Sequence, residues 1–107
     1  MARRQSRRRS GAARPSPVVG LAWYDAAQWA KLKQVAVDAA ELDDSHAAWQ
    51  RNAERTEGEL SRRGLVIRRV PIDVDALVAW CRARDKPVNG ASRAEYTGEV
   101  VSGLGPT

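Results

Sequence analysis

Only two segments of this chain carry the marks of a β-strand, and that limits the fold more than any other feature. Residues 18–24 (VVGLAWY) and 65–70 (LVIRRV) are short apolar runs with β-branched or aromatic side chains. The rest of the folded body reads with helical spacing or as turns. A sheet of two strands is marginal in water and needs a helical layer to bury one face. The chain is therefore expected to be an α+β domain in which helices supply most of the core.

The helical signals are local and specific. Asp25 is placed to cap a helix, and Gln28 three residues on gives a capping box. Trp29, Leu32, Val35, Ala36, Ala39 and Leu42 then recur at helical steps, predicting about four turns with one apolar stripe. A second helix is predicted over 46–63, with a thin face of Trp49, Ala53, Thr56 and Leu60, stopped by Gly64. Asp73 caps a third helix carrying Val74, Leu77, Val78 and Cys81, which Pro87 ends. Asn89-Gly90 reads as a turn, and residues 92–95 (SRAE) as a capping box opening a short last helix with Tyr96 and Val100. Two helices lie between the strands. Taken as an antiparallel pair, they return the chain to the end of the sheet that it left, so the strands are expected to be antiparallel.

The charge is not spread over this body. The chain of 107 residues has a formal net charge of +5. Residues 1–17 contain Arg3, Arg4, Arg7, Arg8, Arg9 and Arg14 and no acidic residue. Without those six cations, 12 Lys+Arg face 13 acidic residues, and the body is close to neutral. The first 17 residues also lack the apolar side chains needed to offset ordering entropy. They are expected to form a disordered basic arm ahead of a single domain at 18–105. An arm of this kind neutralises phosphates, giving salt-sensitive nucleic-acid binding without sequence preference. Two plainer readings stand beside it: a solvated tail, and a translation start placed upstream of the folded body.

Composition excludes several classes. A single cysteine allows no internal disulfide. No run approaches the ~20 apolar residues of a membrane span, so no membrane association is expected. Pro15, Pro17 and Gly20 interrupt the apolar stretch that an export signal needs. A cytoplasmic location is the default, and 15 Arg against 3 Lys with 18 Ala suits a GC-rich bacterial source.

Nothing in the sequence forms a strong catalytic, cofactor or metal motif. Cys81 shares the apolar stripe of its helix, which favours a buried thiol over a nucleophile. His46 stands beside Asp43 and Asp44 without the second histidine of a zinc site, and helix capping accounts for its neighbours. Trp29, Trp49 and Trp80 fall on or beside helical stripes, which favours core packing over base stacking.

The run 64–73 (GLVIRRVPID), the Trp80-Cys81 pair and the segment 91–96 (ASRAEY) resemble small uncharacterised bacterial proteins. In these, a strand is followed by an Asp-capped helix carrying Trp-Cys. Trp23, Trp29 and Trp49 are similar too, so the resemblance covers most of residues 18–105 and leaves the arm outside. It implies the architecture and no activity. The expected function is a non-enzymatic interaction or accessory module without a cofactor, homodimeric through a strand edge or the thin helix face. The alternative is a nucleic-acid-associated protein that binds through the six arginines of the arm.

Overall fold

The computed structural model describes residues 17–103. The elements run β1 (Val18–Trp23), α1 (Ala26–Val35), a 3-10 turn (Ala39–Glu41), α2 (His46–Arg62), β2 (Val66–Pro71), α3 (Val74–Ala83) and α4 (Gly90–Gly103). Two strands and four helices give the expected α+β class. The predicted arm, apart from Pro17, lies outside the described residues.

The strands are parallel, which corrects the antiparallel expectation. Their register runs from Val18 opposite Val66 to Trp23 opposite Pro71. The helices between them do not cancel, because α1 has 10 residues and α2 has 17. At 1.5 Å per residue α2 spans about 25 Å, more than the ~20 Å of a six-residue strand. It carries the chain back past the sheet to the start of β1, where the Val66 N–H donates to the Pro17 carbonyl at 2.9 Å. Parallel pairing needs a long crossover, and residues 24–65 supply it.

Helix α1 stops earlier than its apolar spacing predicts. Ala36 is already extended, and the Val37 N–H leaves the helix to donate to the Val88 carbonyl at 2.9 Å. Gln28 also departs from the expected capping box. Its backbone N–H donates to Asp25 (2.8 Å), but its side-chain oxygen accepts from the Val74 N–H (2.7 Å) and so helps to cap α3. At the other end of the chain, Asn89 rather than Ser92 caps α4. Its side chain accepts from the Ser92 N–H at 2.9 Å, so Asn89-Gly90 opens a helix instead of making a turn.

Helices lie against both faces of the small sheet, although Val18 and Val66 at its start stay half exposed. Gly20 and Val70 share one face with Val101 of α4. A Cβ on Gly20 would collide with the Val101 side chain, so this position needs glycine for close approach rather than for a special backbone angle. Trp23 and Arg69 share the opposite face with α2. Leu32, Val70 and Leu77 are fully buried, and Val74, Cys81, Ile72 and Trp29 complete the core around them. Gly64, beyond α2, has φ +88°, the left-handed conformation predicted for that stop. No helix among the described residues is long and apolar enough to cross a membrane.

The contact at Gly20 gives a direct stability test. Gly20→Ala is expected to cost about 1–3 kcal/mol through overpacking. Val101→Ala in the same chain should recover part of that loss, because neighbouring sites couple. Denaturant unfolding of the parent, both single variants and the double variant reads the cycle. A Gly20→Ala protein as stable as the parent would remove the proposed close packing of α4 on β1.

Candidate functional site

Four aromatic rings meet where β1 gives way to α1. Trp49 of α2 lies edge-on to Trp23 (centroids 5.0 Å) and Tyr24 (5.4 Å) and stacks with Trp29 of α1 (5.4 Å). His46, one turn earlier on α2, leans on the same indole and hydrogen-bonds through Nε2 to the Tyr24 carbonyl at 2.7 Å. Outside this knot, the Arg69 guanidinium lies over the Trp23 ring at 3.8 Å and pairs with both carboxylate oxygens of Glu57 at 2.8 Å. Side chains from β1, α1 and α2 are thus fixed against one another.

A cleft of about 410 Å³ opens beside this knot, along the free edge of β1. Gly20, Leu21 and Ala22 form its floor, with Tyr24, Trp29 and Trp49 on one wall. Leu32 of α1, Glu41 of the 3-10 turn, Leu42 and Asp43 just after it, and Arg93, Ala94 and Thr97 from α4 complete it. The Pro17 carbonyl accepts from the N–H of Val66 in β2 at 2.9 Å, and the Trp23 carbonyl from that of Ile72, just past β2, at 3.0 Å. By the alternation of a strand, Gly20 and Ala22 therefore turn their N–H and C=O groups toward the free edge, where the cleft runs. Its volume lies within the ~300–1,000 Å³ of typical small-molecule sites.

One ion pair frames the cleft from the α4 side. Arg93 donates through both terminal nitrogens to the two oxygens of Asp38, each at 2.9 Å. The two side chains are only 14% and 19% exposed. The Arg93 guanidinium, opposed by partial desolvation, holds the Asp38 carboxyl below its usual range. Thr97 donates its hydroxyl to the Arg93 carbonyl at 2.7 Å one turn on. Tyr24, 4% exposed, is pushed up to about 12 by burial, against the pull of Arg93 and with a further push from Asp38. Its hydroxyl has no hydrogen-bond partner among the described residues, and it is not one of the sealed polar atoms. The Trp29 Nε1, by contrast, is enclosed without a partner among them.

The sequence-derived candidates fall in different places. Arg3, Arg4, Arg7, Arg8, Arg9 and Arg14 lie outside the described residues. Cys81 is 1% exposed in the core, as its stripe position predicts. His46 is held by a backbone carbonyl and an indole, which is a structural role. Trp80 packs edge-on against Tyr96 and carries the Arg84 guanidinium at 4.4 Å, a second cluster away from the cleft. Sequence reading missed Asp38, Glu41 and Arg93 as neighbours of Tyr24. Only the fold brings α4 to the 3-10 turn, and Asp38 and Arg93 are 55 positions apart.

Loss of the Asp38–Arg93 pair is expected to cost about 1–3 kcal/mol at pH 7, between the values for exposed and fully buried pairs. Asp38 is depressed when folded, so its stabilisation is complete above the unfolded carboxylate value and is lost as pH falls through the folded one. Chemical denaturation from pH 7 down to pH 3 should therefore show a shallower acid slope for Asp38→Asn than for the parent. Parallel curves would mean that the pair contributes nothing to acid stability.

Comparisons with protein-family models, curated proteins and solved structures return no match to this chain.

Proposed function

We propose that the protein is a non-enzymatic binding module, an interaction or accessory protein whose body receives a small ligand in the cleft beside β1. The cleft itself carries this reading. It gathers a tyrosine hydroxyl without a partner among the described residues, the outward backbone groups of an open strand and two acidic residues on one concave surface. The residues most suited to chemistry are engaged elsewhere, with Cys81 in the core and His46 fastened to the Tyr24 carbonyl.

A panel of small cationic, neutral and anionic compounds, followed by tryptophan fluorescence, tests this. At least one saturable binder is expected, recovered chemically unchanged. Ala94→Phe, which fills the cleft from an exposed position on α4, should abolish its binding. Failure of every compound to bind would overturn the reading, and so would consumption of the binder.

Two further modes of association have their own support. Val18 and Val66 are register partners at the start of the sheet and are 50% and 49% exposed, an apolar pair that suits contact with a second copy. The six arginines of the arm suit nucleic acid. Sedimentation of the full chain, alone and with a short DNA duplex, separates the two. Self-association should rise with concentration, resist salt and weaken in Val66→Lys. Duplex binding should fall steeply with salt. A monomer at high micromolar concentration that ignores DNA would overturn both.

A further inference from the structure

We propose that the ligand of the cleft is a small organic cation, an ammonium group carried on a compact apolar body. This deepens the binding reading above and rests on it.

The charge around the cleft selects the sign. Glu41 and Asp43 both border it, and neither belongs to an ion pair among the described residues. Asp43 accepts a hydrogen bond from the neutral Asn52 amide at 3.0 Å, and Glu41 is exposed. The one cation in the lining is Arg93, and both of its terminal nitrogens are bound to Asp38. Lys33 reaches the 3-10 side of the cleft but donates to the Asp43 backbone carbonyl at 3.1 Å, not to its carboxylate. An entering anion would meet two carboxylates and an already neutralised guanidinium. An entering cation meets the reverse.

The remaining groups suit an ammonium in particular. Tyr24, Trp29 and Trp49 line the wall with aromatic side chains, and aromatic rings favour a cation over an anion, most strongly where water is partly excluded. The Tyr24 hydroxyl is an independent pointer. Its residue is more than nine-tenths buried, lines the cleft and leaves its oxygen free to accept a hydrogen bond. The outward carbonyls of Gly20 and Ala22 add acceptors along the floor. Leu21 and Leu42 give the apolar part of such a ligand its contact. Neither a metal ion nor a nucleotide suits this combination, since the walls are aromatic and the acids are only two.

The test uses the full-length chain and three probes of similar size. These are 3-methylbutylammonium, which carries three N–H donors, the neutral 3-methylbutan-1-ol, and 3-methylbutanoate as an anion. Calorimetry and tryptophan fluorescence are expected to show saturable binding of the ammonium at least about tenfold tighter than that of the alcohol, with no binding of the anion. Glu41→Gln should weaken the ammonium by about fivefold and leave the alcohol unchanged. The Glu41 side chain is exposed with no side-chain hydrogen bond to lose among the described residues, so this variant keeps the fold. Alcohol binding as tight as the ammonium, sensitive to Ala94→Phe, would overturn the cation while sustaining the cleft as a binding site. Tighter binding of the anion would do the same. Absence of ammonium binding would overturn the cation outright, and the wider panel above then decides whether the cleft binds anything.

Discussion

The docking of α2 through Trp49 is the contact on which the rest of this structure depends. Helix α2 is polar along most of its length, and Ala53 is its only buried residue. What holds it to the sheet is one indole wedged among Trp23, Tyr24 and Trp29, reinforced by the fork between Glu57 and Arg69. Aromatic pairs of this geometry contribute about 0.5–1.5 kcal/mol each beyond the area they bury. That helix also fixes the strand direction, because its length returns the chain to the start of β1. Packing energy at one residue and the topology of the sheet are therefore the same constraint. The cleft inherits it, since Trp49 and Tyr24 wall the space that the crossover leaves beside β1.

Much of the fold was legible because its signals are local. Asp25, Ser45 and Asp73 each cap the helix that follows, with side-chain acceptors on N–H groups two or three residues ahead. Gly64 takes the left-handed position after α2, and Cys81 lies in the core where its stripe puts it. Two misses in the helices share one cause, a tertiary partner overriding a local pattern. Val37 gives its N–H to Val88 and cuts α1 short. Gln28 turns to α3 instead of closing its own box. Strand direction failed for a different reason. It depends on the difference in length between two helices, and a periodicity count locates helices better than it measures how far they carry the chain.

The candidate site was far less legible. Tyr24 reads as the end of a strand, and Arg93 as the second residue of a capping box on a minor helix. Neither carries a motif. Their relation to Asp38, Glu41 and Asp43 exists only after α4 packs over Gly20 and brings its first turns to the 3-10 segment. The charge inventory pointed elsewhere, to the arm, because six arginines in a row of polar residues dominate the sum. Within the near-neutral body, the local pairing matters more than the total. One arginine is cancelled by one aspartate, and two acids are left facing a concave surface.

The two edges of the sheet are unequal, and this has a consequence for assembly. Pro71 lies on β2 among the residues that turn away from β1, so its missing N–H removes a donor from the outer edge without harming the inner ladder. The edge of β1 keeps its donors and acceptors. A fibre built by sheet extension needs every subunit to present two receptive edges, one to give and one to take. With one edge blunted, a strand added beside β1 ends the sheet instead of seeding another.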